Sequence, residues 1–198
     1  MKFSVLKIVL GLAMAQSMTV LAAVSTILPQ MPGTLPVDTR CVISVGAPVI
    51  DYGSLTRWQL EEAGNRQTLT FGKRTLMLSV VCPYSQPLRL GLRSSHAANG
   101  DVQYGSRGSL TVQVMDAQVD GHAVLLNSIR PEGVMEGGAQ PSVRWRPGES
   151  LVATRNGQVI EGKTFNARVE IEPLLSESAA RVSGREVYES MLSIDLIN

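Results

Sequence analysis

Apolar and polar residues alternate along most of this chain in short runs, the period of half-buried strands and not of helices. Leu88, Leu90 and Leu92 alternate with Arg89, Gly91 and Arg93, and Leu110, Val112 and Val114 with Thr111, Gln113 and Met115. Phe165, Ala167, Val169 and Ile171 against Asn166, Arg168, Glu170 and Glu172 give the clearest two-faced strand of the chain. The last run puts Leu192, Ile194 and Leu196 on one face and Ser193 and Asp195 on the other. Asp120-Gly121 and Asn156-Gly157 sit between such runs and predict tight hairpins, because a two-residue turn of the favoured twist needs positive φ. One helical turn is predicted over residues 57–64, capped by Thr56 with Gln59, closed by Gly64, and burying Trp58 and Leu60. The segment from His96 to Gly108 is rich in Gly, Ser and Asn and reads as a loop. Seven or eight strands at intervals of about ten residues, with no sustained helical period, predict an antiparallel sandwich.

The two ends of the chain differ from this pattern. Lys2 and Lys7, the apolar residues 8–15 and the small-residue stretch Val20-Leu21-Ala22 predict a secretory signal over residues 1–22. Residues 23–40 begin with the alternation of Val24, Thr26 and Leu28 and are then broken by Pro29, Pro32, Gly33 and Pro36. They read as an extended arm ahead of a single domain over residues 41–198.

Composition changes the picture in two places. The chain has 198 residues with 18 Lys and Arg against 17 Asp and Glu. Loss of residues 1–22 removes two lysines and no acid, leaving a net charge of −1, which offers no footprint for nucleic acid. Cys41 and Cys82 are the only cysteines. Their even number, strand-end positions and predicted export into an oxidising compartment predict one disulfide. Closing a loop of about forty residues stabilises the fold by about 4 kcal/mol in the chain-entropy account.

Candidate chemistry is sparse. His96 and His122 have no ligand partners at metal-binding spacing, and the cysteines are committed to each other, so no metal or cofactor is expected. Ser106 lies between glycines without the strand–turn–helix context of a nucleophile. The carboxylates are scattered, and no glycine-rich phosphate cradle opens a helix. Nothing points to an enzyme. Trp58, Tyr104 and Trp145 are weak candidates for a sugar platform and stronger ones for packing, and Arg144-Trp145-Arg146 reads as a stacked cation–aromatic edge.

The order of features from Cys41-Val42-Ile43-Ser44-Val45 through Pro48-Val49-Ile50-Asp51-Tyr52-Gly53-Ser54-Leu55 to a strand ending at Cys82 resembles the fimbrial, pilin-like subunits of the bacterial chaperone–usher pathway. The resemblance covers most of residues 23–198 and is concentrated in residues 41–92. It implies an incomplete immunoglobulin-like antiparallel β-sandwich, completed by donor-strand addition. A periplasmic chaperone would lend the missing strand, and another fimbrial subunit's arm would replace it at the outer-membrane usher. On this reading Leu192, Ile194 and Leu196 form the strand that pairs with the chaperone and lines the groove, and Val24, Thr26 and Leu28 carry the donor arm. The destination is a fimbrium on the cell surface. The alternative on the same fold is a tip-type adhesin that holds a host glycan or protein. Two departures, Ile197 where such subunits carry a penultimate tyrosine and an arm with three prolines, suggest a divergent or minor subunit.

Overall fold

The computed structural model describes residues 40–64 and 67–197, which fall in one unit, Asp38–Asn198. The predicted signal segment and the arm residues Val24, Thr26 and Leu28 lie outside the described residues. The strands in chain order are β1 (Val42–Val45), β2 (Glu61–Glu62), β3 (Thr68–Thr70), β4 (Arg74–Pro87), β5 (Arg89–Arg93), β6 (Val102–Tyr104), β7 (Gly108–Val119) and β8 (His122–Ala123). They continue as β9 (Leu125–Ile129), β10 (Met135–Gln140), β11 (Ser142–Arg144), β12 (Ser150–Arg155), β13 (Gln158–Val159), β14 (Glu161–Ser176) and β15 (Ser193–Leu196).

Two antiparallel sheets stack as an immunoglobulin-like β-sandwich. The first runs β1-β4-β14-β3-β2, with β7 also along β14 and with β6, β8 and β11 on β7. The second runs β10-β9-β12-β5-β15, with β13 on β12. Strand β14 is the spine: β4 pairs with it from Glu161 to Ile171 and β7 from Phe165 to Leu175. Its predicted alternation is realised, with Phe165, Ala167, Val169 and Ile171 all buried. They meet Leu78 and Val80 of β4 and Val112 and Val114 of β7 on the same face. Leu90 and Leu92 of β5, Leu126 of β9 and Leu151 and Ala153 of β12 close the core from the second sheet. Both predicted hairpins form, with φ of 49° and 77° at Asp120 and Gly121 and of 52° and 77° at Asn156 and Gly157. The Asp120 carboxylate also accepts hydrogen bonds from the Thr164 N–H (2.8 Å) and the Lys163 N–H (3.0 Å). That ties the turn to the start of β14 and holds the carboxyl below its usual pKa.

Several expectations are corrected. The helix over residues 57–64 is only a 3-10 turn, Arg57–Gln59, and Glu61–Glu62 pair instead with β3. The Gln59 side chain does accept the Thr56 N–H, at 2.8 Å. A turn this short has no face to bury, so Trp58 stands 86% exposed beneath the Arg57 guanidinium. The stretch from His96 to Gly108 contains β6, which forms a hairpin with β7 and buries Val102 and Tyr104. Arg144, Trp145 and Arg146 do not stack: Trp145 enters the core, and Arg144 grips the buried Asp101 carboxylate, with Nε at 2.8 Å.

Candidate functional site

Cys41 and Cys82 are joined by a disulfide, which fastens the start of β1 to β4. Register then decides what β1 presents. Ile43 lies opposite Val80 and Val45 opposite Leu78, both of which are fully buried, so Ile43 and Val45 point toward the core. Val42 and Ser44 point away from it. Strand β15 lies along β5, with Ile194 opposite Leu92 and Leu196 opposite Leu90. Among the described residues β1 pairs only with β4 and β15 only with β5, so each sheet ends there in an unpaired edge.

Between these two edges the sandwich is open. A groove of about 1190 Å³ runs along them, and its floor is the core itself: Leu92, Val112, Trp145, Val169 and Ile171. One wall is β1 and the extended segment after it, through Ile43, Val45, Ile50 and Tyr52. The other is the segment before β15 and its first residues, through Tyr188, Leu192 and Ile194. Of the residues singled out from the sequence, Leu192 and Ile194 line this groove, while Leu196 packs on the same core without lining the cavity. The wall residues Ile43, Val45, Leu192 and Ile194 are only half-buried, whereas the floor is buried. Val187 and Met191 on one lip are 74% and 87% exposed.

One end of the groove has a different character. Tyr52, Phe71, Tyr104 and Tyr188 gather there from four separate segments. Phe71 meets Tyr52, Tyr104 and Tyr188 at centroid distances of 6.1, 5.5 and 6.2 Å, and Tyr188 stacks on Tyr104 at 5.9 Å. Gly105 makes this possible. A Cβ there would come within 2.5 Å of the Tyr188 ring, its φ of +58° favours glycine, and its N–H donates to the Glu189 carbonyl at 2.9 Å. The Tyr188 hydroxyl donates to Glu186, which also pairs with Arg107. Burial pushes the Tyr52 hydroxyl up to about 12 and raises Tyr104 and Tyr188 as well, so these phenols are neutral. The Tyr52 Oη and the Ser190 Oγ, on opposite walls, are buried without hydrogen-bond partners. Nothing in the spacing of these residues announces the cluster. Four aromatic side chains from distant segments carry no periodic signal, and only the topology brings them together.

Among the described residues no three His, Cys, Asp or Glu side chains gather as a metal site would require. No family model matches this chain, and no curated protein does. Among solved structures it is similar to a chain of a chaperone–tip adhesin complex of CFA/I fimbriae biogenesis. That similarity has a TM-score of 0.34 and 11% identity, over 77% of this chain and 41% of the other. The chain thus spans less than half the length of that neighbour, and at such a TM-score the likeness carries no weight for function.

Proposed function

We propose that this chain is a structural subunit of a surface fimbria whose groove takes an extended strand from another protein. The observation that carries the reading is the groove itself: an apolar trough whose floor is the domain core and whose two walls end in unpaired strand edges. Water satisfies such edges poorly beside apolar side chains, and an exposed edge of this kind templates pairing with another chain. An inserted strand supplies both missing ladders with its main chain and fills the trough with alternate side chains. A periplasmic chaperone lends that strand first, and the arm of a neighbouring subunit replaces it at the outer-membrane usher. The protein acts by assembly, with no catalytic step.

The experiment is co-purification with the cognate chaperone from the periplasm. Ile194 is the central apolar residue of the β15 wall, and Ile194→Asp puts a charge where an apolar side chain of the guest must pack. The expected result is loss of the soluble chaperone complex and degradation of the subunit. A complex recovered in normal yield from that variant overturns the reading.

A further inference from the structure

The outer face of the first sheet carries a concavity of its own. Ile171 and Leu175 of β14 and Val112 of β7 are buried in the core, so the residues that alternate with them point the other way. Register sets those outward residues side by side: Thr111 lies opposite Glu172, and Gln113 opposite Arg144 of β11. Thr70 of β3 lies opposite Leu174, with Glu61 of β2 beyond it. Across these strands runs a cleft of about 740 Å³, walled by residues 61–64 and Lys73 on one side and by Arg144 on the other. That size falls within the range of small-ligand sites, roughly 300–1,000 Å³. The cleft and the groove share no lining residue, so binding here does not depend on strand addition.

The lining is the reverse of the groove's. Ala63 and Leu174 are its apolar side chains, and it holds no aromatic ring. Its polar groups are anchored at one end and free at the other. The Arg144 guanidinium is gripped by Asp101, which is 2% exposed and also accepts from the Asn99 amide at 2.8 Å, yet Arg144 itself stays 47% exposed. A buried carboxylate paired in this way is a poor device for stability, because desolvation offsets most of the attraction. What it does is fix the plane of a guanidinium that keeps free N–H donors at the cleft wall. Lys73 Nζ donates to Glu170 at 2.8 Å and keeps further N–H groups free. The Gln113 amide donates to Ser142 Oγ at 2.7 Å, which leaves its carbonyl oxygen as an acceptor. Thr70 Oγ1 accepts the Gly72 N–H at 3.0 Å, which leaves its proton as a donor. The carboxylates of Glu61, Glu62 and Glu172 make no ion pair among the described residues.

Fixed donors and fixed acceptors therefore mix across one cleft, and neither sign of charge prevails. An anion meets three unpaired carboxylates, and a cation meets Lys73 and Arg144. A hydroxyl donates and accepts at once and so satisfies both kinds of group. Neighbouring hydroxyls on a sugar ring present such pairs at a fixed spacing.

We infer that this cleft is a saccharide site whose ligand is an uncharged, hydroxyl-rich sugar chain lying across β14 and β7. The carboxylates of Glu61 and Glu172 accept from its hydroxyls, and Lys73 and Arg144 donate to its oxygens from opposite ends of the cleft. Planar side chains already held in place lose little freedom when the sugar binds, which is what the buried Asp101 behind Arg144 secures.

The test immobilises the full chain and passes over it albumin conjugates that each display many copies of one sugar, because repetition raises a weak single-site affinity to a measurable one. The neutral conjugates carry glucose, galactose, mannose or N-acetylglucosamine, and the charged ones carry sialic acid or glucosamine. At least one neutral conjugate is expected to bind at least tenfold more strongly than either charged one. Arg144→Ala should weaken that binding, but it leaves Asp101 buried without its partner and can harm the fold. The deciding variant is therefore Glu61→Gln/Glu172→Gln, which alters only outward-facing carboxylates and should lower the binding at least tenfold. Arg168→Gln, on the same face but outside the cleft and paired with Asp116, should bind as the parent does. The inference is overturned if no neutral conjugate binds, or if binding survives the Glu61/Glu172 change. Preference for the sialic acid or glucosamine conjugate also overturns it, since the cleft would then select charge. Chaperone co-purification keeps this outcome apart from that of the groove. Glu61→Gln/Glu172→Gln should give the complex in parental yield, and loss of both sugar binding and complex would show that the change acts through the fold and refute the site.

Discussion

The two long edges of the sandwich carry the same alternation and reach opposite outcomes. At the edge formed by β7 and β11 the chain laces the sheets together. After Arg144 it leaves the first sheet, and the Trp145 N–H donates to the Val112 carbonyl at 2.8 Å while the indole N–H reaches the Glu149 carbonyl at 3.1 Å. The Gly148 N–H then donates to the Leu92 carbonyl of the second sheet at 2.8 Å and the Leu92 N–H to the Glu149 carbonyl at 3.5 Å, and Trp145 is left 1% exposed. At the edge formed by β1 and β15 the two strands pair, among the described residues, only with β4 and β5. Ile43, Val45, Leu192 and Ile194 have the same chemistry and the same inward direction, yet they remain half-buried. The difference teaches that the core is not small or poorly patterned. It is closed on one side and open on the other.

Predictions that break this contrast are ranked by the damage they do. Trp145→Ala removes the largest fully buried side chain, which the closed edge sends inward as far as the groove floor, and should cost roughly 3–5 kcal/mol, read as a fall in denaturant midpoint at unchanged slope. A loss below about 1 kcal/mol would mean that the closed edge is not as tightly packed as its burial indicates. Cys82→Ser should cost up to about 4 kcal/mol, and its effect should be concentrated at the open edge, because the bond ties β1 to β4. Amide hydrogen exchange measured on the variant should quicken first in β1, ahead of β14. Uniform quickening would contradict the placement of the bond at the margin.

Ile194→Ala sharpens the contrast. In the unfilled protein Ile194 is only half-buried, so the cost should be about 1 kcal/mol, against 2–5 kcal/mol for Leu92→Ala on the buried floor beneath it. With a strand in the groove Ile194 becomes core, and its cost should rise toward that of Leu92. Thermal melts with and without a bound strand measure the change, and equal costs in both states would mean that the groove is never filled.

Much of the fold could be read from the chain because the sandwich is an alternating pattern folded on itself. The inward set of β14, the leucines of β5, the two glycine turns and the cysteine pair all follow from local periodicity and turn chemistry. What escaped has no local signature. Strand β6 alternates over only three residues, Val102 to Tyr104, inside a stretch whose glycines and serines signal a loop. Trp58 was expected inward on hydrophobicity alone, yet burial needs a surface to pack against, and a three-residue turn offers none. The groove was half legible: the alternation of Leu192, Ile194 and Leu196 shows an apolar face but not that the sandwich stays open beside it. The aromatic end lay beyond sequence reasoning because it depends on Gly105 letting Tyr188 close on Tyr104.

The smallest effect tests the closed edge without harming it. The Glu149 side chain is buried beside Trp145, its Oε2 has no hydrogen-bond partner, and the Arg146 guanidinium stands off at 3.8 Å. Burial raises the carboxyl above its ordinary pKa, and the Arg146 N–H···O geometry and charge only partly oppose this. A carboxyl whose pKa is raised on folding is penalised once it ionises. The folded state therefore loses stability as pH climbs through the ordinary carboxylate range toward the raised value, and it holds no such penalty below that range. Glu149→Gln removes the ionisation and keeps the shape, so at about pH 7 it should raise Tm slightly, by roughly 2 °C, and at about pH 3 it should change nothing. Melting curves of the two proteins across that interval decide the matter. A variant less stable than its parent at neutral pH would show that the Arg146 attraction outweighs desolvation, and that the closed edge is held by charge as well as by packing.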